Sequence, residues 1–464
     1  MNLNIKKILL VCNLLVAAVW VNGQNMRSAY FLDGFYYRHQ MNPAFAPERA
    51  YFSFPGLGNL NISAQGNVGL SDFLYSYDDP FQESVLTTFM NHTVGQQEFL
   101  SRLNARNKVA ANVDMSIISF GFKAWGGFNT FGMGLHSRSN VNAPYELFDF
   151  MKSGELGGDA SKSYFIKDLQ LRSSNYIDVS FGHSRKINEK LTVGASLKLL
   201  LGIGHAETEF DNMHITMGED EWLINANGYM HTSAKGLMVN TKEDREIKDF
   251  EIRSGGIGGY GVGVDLGASY RLLENLTLSA AFTDIGFIRW VNTIKGSTSN
   301  DPYSFKGFET IGIGGDSEYP SLEDQFDDLG TDFKEMARFY DDGKINKATA
   351  LATTMNIGAE YELPAYRKLS FGLLSSTHIQ RPYTWTEARF AINIAPLNWL
   401  EASVSGAWST YGGGFGFLVN FHPKGFNLFL GTDFMITEIT PQYIPVHNMN
   451  ANVCMGINFS LGKR

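Results

Sequence analysis

Ala451-Asn452-Val453-Cys454-Met455-Gly456-Ile457-Asn458-Phe459-Ser460-Leu461 is the stretch that decides the fold. Val453, Met455, Ile457, Phe459 and Leu461 are apolar, and every residue between them is small or polar. A strict period of two makes one face of a strand greasy and the other wet. At the C-terminal end of a chain, such a strand closes a membrane β-barrel onto its first strand. A soluble edge strand is the alternative, so the rest of the chain has to discriminate.

The same alternation recurs upstream. Leu60, Ile62, Ala64, Val68 and Leu70 alternate with Asn59, Asn61, Ser63, Gln65 and Asn67, and Leu191 to Ile203 does the same with Leu and Val. The pattern predicts strands at 59–70, 113–125, 128–138, 175–187, 190–206, 258–271, 276–290, 351–363, 368–379, 385–395, 399–410, 414–422, 426–437 and the closing stretch. Short turns follow alternate strands, and longer segments follow the others. Outer-membrane barrels have an even strand number, short periplasmic turns and longer outer loops. The expected fold is therefore all-β: a transmembrane antiparallel up-and-down barrel of about 14 strands, with both ends on the periplasmic side.

Composition agrees. The 464 residues include 48 Gly, 35 Phe and 20 Tyr, and beyond the N-terminus no run of about 18 apolar residues is present. The formal net charge of −9 argues against nucleic acid as a partner. Lys6 and Lys7 precede an apolar run from Ile8 to Val21, so residues 1–23 read as a signal peptide cleaved near Gly23. Removing it takes Cys12 away and leaves Cys454 alone, so no intrachain disulfide forms.

Residues 24–58 are not periodic. Asn42-Pro43-Ala44 marks a turn, and the segment reads as an N-terminal plug or latch inside the barrel, with a plain periplasmic tail as the alternative. The barrel then occupies 59–464, with long outer loops at 207–257 and 291–350.

Charges test the faces, because an ionised group facing mid-bilayer costs roughly 2–4 kcal/mol. Asp178, Lys198, Asp265, Glu360, Glu362, Glu387, Arg389, Glu401 and Asp433 all fall in the polar phase and form the expected lumen network. Asp284 breaks the pattern, following Phe282 in the apolar phase; near a strand end beside Gly286, a bulge or the membrane interface would accommodate it. Trp125, Trp290, Trp385, Trp399 and Trp408 lie near strand ends, as aromatic girdles do.

No catalytic or metal constellation emerges, so neither an enzyme nor a cofactor is expected. The histidines lack metal spacing, and Gly258 to Gly263 opens a strand, which suits close passage of side chains better than a phosphate cradle. From Asp301 to Asp342 there are twelve Asp and Glu against Lys306, Lys334 and Arg338. Phe326, Leu329, Phe333 and Met336 recur there at helical spacing, which predicts a helical extracellular insertion resting its apolar face on the barrel mouth as a lid.

With its signal peptide, early Asn42-Pro43-Ala44, fourteen strands and amphipathic C-terminal strand, the chain resembles FadL-type and PorV-like outer-membrane barrels. More closely it resembles a Bacteroidetes-type branch carrying a domain of unknown function. Phe35-Tyr36-Tyr37-Arg38 stands where such barrels have a Gly/Ala-rich run. The resemblance implies a plugged channel or transporter for small hydrophobic molecules in a Gram-negative outer membrane. A non-transporting scaffold for a secretion system or surface protein is the other function it implies. Expected partners are outer-membrane lipid, the barrel-assembly machinery, a hydrophobic ligand, and a secretion-system or surface protein.

Overall fold

The computed structural model describes residues 26–47, 49–79, 82–91, 93–155, 162–218, 221–305, 330–331, 336–435 and 450–461. Their main sheet has eighteen strand segments that merge into fourteen staves and close on themselves. Four staves are each built from two collinear segments. These are β1 (Ala50–Ser53 with Leu60–Gly66), β6 (Trp222–Ala234 with Gly259–Leu273), β7 (Leu276–Ser297 with Tyr303–Phe305) and β8 (Tyr340–Ala350 with Thr353–Glu362). The others are β2 (Arg106–Ala124), β3 (Gly127–Pro144), β4 (Ser163–Lys186), β5 (Leu191–Met217), β9 (Leu369–Ile379), β10 (Trp385–Leu397), β11 (Leu400–Ser409), β12 (Gly412–Phe421), β13 (Asn427–Thr432) and β14 (Ala451–Leu461). Closure is the pairing of β14 with β1, in the registers Ala50↔Leu461 and Leu60↔Met455. A closed ladder leaves no strand edge, which the bilayer requires.

The alternation in β14 is realised as expected. Val453, Met455, Phe459 and Leu461 are exposed, while Asn452, Cys454, Asn458 and Ser460 are buried inside. Leu197, Leu199, Val262, Leu266, Phe390, Ile392, Val404 and Leu430 continue the apolar exterior around the wall. So much outward apolar surface over a polar interior is a lipid belt.

Three expectations need correction. Ala50–Ser53 belongs to the wall, so the non-wall N-terminal segment ends before Ala50 rather than at residue 58. Trp290 and Trp385 are not girdle residues: they are 0% and 1% exposed and point inward, whereas Trp125 and Trp408 are each 71% exposed. Trp290 lies over Gly202 and Gly259, whose missing side chains make the room, and stacks on His205. The 207–257 and 291–350 segments are in part wall, because β5, β6, β7 and β8 run on into them.

The wall is uneven. At about 3.4 Å per residue, the 27 residues of β5 reach far beyond an apolar band of about 25 Å. In this extension the polarity inverts. Met213, Ile215, Ile224 and Met230 are buried, and Asp211, Asn212, Asn225 and Asn227 are exposed, as in a water-soluble sheet. Helix α1 (Gln96–Leu100) and helix α2 (Tyr145–Glu155) close over it, joining Phe99, Phe150, Phe305 and Met336 in one apolar core. Met336 of the expected lid is thus core. Phe326, Leu329 and Phe333 lie outside the described residues.

Candidate functional site in the charged lumen

Met26 to Ala46 lies within the barrel and is almost wholly buried. Two short 3-10 turns, Arg27–Ala29 and Tyr36–Gln40, carry Tyr30, Phe31, Phe35 and Tyr37 into an aromatic core with Phe429, Leu418 and Leu374 of the wall. Glycines shape the wall to receive it. A side chain at Gly194 of β5 would collide with Pro43, and one at Gly267 of β6 would collide with Asn42. The Asn42 amide donates to the Ala268 carbonyl at 3.3 Å, and the Ser184 hydroxyl donates to the Ala44 carbonyl at 3.1 Å. These two bonds and the glycine seats place Asn42, Pro43 and Ala44 against β4, β5 and β6.

The charged residues expected in the lumen separate into three groups. Glu387, Arg389 and Asp433 form one with Arg27 and Ser28. Arg27 pairs with Glu387 at 3.2 Å, and Arg389 pairs with Glu387 at 2.8 Å and with Asp433 at 3.5 Å. Asp433 also accepts the Arg27 and Ser28 backbone N–H groups at 2.8 and 2.7 Å. Two cations and two anions balance in a site with no solvent access, where an unpaired charge would be very costly. This group fastens the N-terminal segment to β10 and the end of β13.

Glu401 and Glu360 belong to a second group. Glu401 accepts the Gly34 N–H at 3.0 Å and the Asn420 amide at 3.2 Å, and Glu360 accepts the Ser370 hydroxyl at 2.8 Å. Arg38, which pairs with Asp33, lies within electrostatic range of both. Glu362, the last residue of β8, is half-buried at the turn end and joins none of the groups.

The third group lines open space. Lys198 contacts Asp265 at 2.9 Å and Asp284 at 2.7 Å. Asp284 reaches it because its φ of 59° makes a bulge that turns the side chain inward and shifts the phase of β7. His136 bridges Asp114 at 2.5 Å and Asp178 at 2.7 Å, and Arg138 donates to Asp114 at 2.6 Å. Asp114 and Arg138 were not singled out from the sequence, and His136 was read only as a strand histidine without a ligand role, although all three share the inward parity of Asn112 and Ser116 across β2 and β3.

These side chains wall a cavity of about 900 Å³, counting space open to solvent, that is bounded at one end by His39, Pro43 and Ala46. It adjoins a second cavity of about 630 Å³ through Gln40, Asp114, Arg138 and Asp284. That one adjoins a third, of about 450 Å³, through Arg138, Tyr176, Ala352 and Gln380 at the outer end of β9. The cavities follow one another from the outer rim toward the short-turn end, and the inner two lie against the N-terminal segment.

A closed apolar-belted barrel with a filled, charged lumen defines an outer-membrane β-barrel protein. The chain belongs to DUF5723, a family of unknown function, whose model matches residues 43–433. Among proteins with curated functions, none matches it in sequence. Solved structures similar to it include the Ralstonia pickettii toluene transporter TbuX, at 9% identity over 91% of this chain and 93% of that one, with a TM-score of 0.40. The P. putida toluene transporter TodX is similar at 11% identity over 91% and 93%, TM-score 0.40. A Pseudomonas aeruginosa FadL homologue is similar at 10% identity over 95% of each chain, TM-score 0.38.

Proposed function

We propose that this protein is a plugged outer-membrane channel for small molecules, with Met26 to Ala46 as the plug. One observation carries the reading: three adjoining cavities share lining residues, and two of them lie alongside that segment. The hydrophobic solute that the resemblance implies is kept with one addition from the lining, a polar group able to meet Asp114, Arg138 or Lys198. The role is passage or binding rather than catalysis. Swelling of liposomes carrying the purified protein, in solutes graded by size and polarity, tests it. Entry that is slow for the native protein and faster when Gly194 and Gly267 are enlarged is expected. Entry of no solute into either would overturn the reading.

A second reading, a scaffold holding a secretion or surface protein, draws support from the outer extension, which has a hydrophobic core of its own above the lipid belt. Copurification of a fixed partner that survives removal of the plug would favour it.

A further inference from the structure

The outermost cavity has a chemistry that the channel reading leaves unused. Arg138 of β3, Arg172 of β4 and Arg381 of the β9–β10 connection all line it, together with Asn140, Ser174 and Gln380. No Asp or Glu is among its lining residues within the described part of the chain. The carboxylates nearby are shared with other cations: Asp114 accepts from Arg138, and Glu207, which lies opposite Arg172 in the β4–β5 ladder and within its electrostatic range, makes its ion pair with Lys347 at 2.5 Å. Arg172 donates only to the Ala350 carbonyl, at 3.1 Å, and among the described residues neither Arg172 nor Arg381 has an ion-pair partner. Three cations, Arg172, Arg381 and Lys347, thus share the single carboxylate of Glu207, so the concave space keeps an excess of positive charge that an added anion would offset. A guanidinium fork matches the oxygens of a carboxylate or phosphate.

We infer that this vestibule is a binding site for a small hydrophilic anion bearing a phosphate or carboxylate group, held by Arg172 and Arg381 with Arg138 behind them. The inference rests on the channel reading for its purpose, since the vestibule shares Arg138, Tyr176, Ala352 and Gln380 with the neighbouring lumen cavity, and not for its binding chemistry. Continuity with the lumen favours a soluble anion over a lipid headgroup. Arg138 is already tied to Asp114, so it contributes charge, while Arg172 and Arg381 contribute free donors.

The test uses the full-length mature protein in phosphatidylcholine nanodiscs and measures equilibrium binding of radiolabelled inorganic phosphate, with acetate as competitor. Saturable binding is expected, weakened roughly tenfold or more when both Arg172→Gln and Arg381→Gln are present. Arg381→Gln alone touches an exposed side chain without hydrogen bonds, so it leaves the fold intact and should already weaken binding. Arg185→Gln, at the short-turn end, should leave it unchanged. Absence of saturable binding, or equal binding by the double variant, overturns the site. Loss of phosphate binding when phosphatidylglycerol is added to the discs would assign the site to lipid and overturn the soluble-anion assignment. Liposome entry separates the two readings: binding without entry of any solute keeps the vestibule and removes the channel, and entry without binding does the reverse.

Discussion

Asn42 sits directly on the α-carbon of Gly267, so closely that its side-chain oxygen occupies the space a β-carbon would need. A loop residue and a wall residue 225 positions apart are thus fitted to each other, and Gly194 does the same for Pro43. The turn-forming motif finds its seat because two staves lack side chains at that depth.

Gly267→Ala should therefore lift the Asn42-Pro43 turn without disturbing the ladder, since overpacking of a close contact costs about 1–3 kcal/mol. Limited proteolysis of the purified barrel reads this: cleavage near residues 40–46 should become faster while heat-modifiable migration is retained. Unchanged cleavage would show that the seat does not hold the segment.

Asp433→Ala removes the acceptor of two backbone N–H groups and a partner of Arg389, all without solvent access. Breaking a buried pair from one side costs roughly 3–5 kcal/mol. Unfolding in lipid vesicles should show a loss of that order, and a loss under about 1 kcal/mol, the level of an exposed pair, would mean that the cluster is solvated.

Met455→Arg places a charge in the middle of β14, at an outward position that is 41% exposed. A penalty of roughly 2–4 kcal/mol is expected if it faces the bilayer midplane. The inward neighbour Asn458 is no neutral control, because it accepts from the Tyr37 hydroxyl at 2.9 Å and donates to Asn427 at 3.2 Å. An unfolding free energy for Met455→Arg equal to that of the native protein would contradict the facing.

Trp290→Ala separates a core residue from a girdle residue. Fully buried, stacked on His205 and bonded to Thr349 at 2.8 Å, it should cost about 3–5 kcal/mol on truncation. A girdle tryptophan would cost far less, so denaturant unfolding of the variant decides between them.

The parity of strand residues was readable at once, and Trp385 shows that it could have been applied further. It lies two residues before Glu387 and four before Arg389, both read as inward, so its inward direction was already implied. Trp290 was different. The bulge at Asp284, hinted at by a carboxylate in the apolar phase, flips the phase of β7, so parity counted from the start of the strand puts Trp290 on the wrong face. The strand extensions were also hidden. Above the lipid belt the inward face becomes apolar and the outward face polar, so the pattern no longer looks like a membrane strand even though the ladder continues.

Alternation, the unequal connections and the parity of the charges together determined from the sequence that this chain makes a barrel and which face of most strands meets lipid, because a strand's two faces follow from the geometry of the extended backbone. Only the tertiary structure decided which inward charges meet. Ser28 and Asp433 are 405 residues apart in sequence, and Lys198 gains Asp284 only through the bulge. A period of two assigns a face to each side chain but not a depth or a partner. Those follow from the stagger between staves, from bulges that shift the phase, and from the path of the N-terminal segment through the space that the wall encloses.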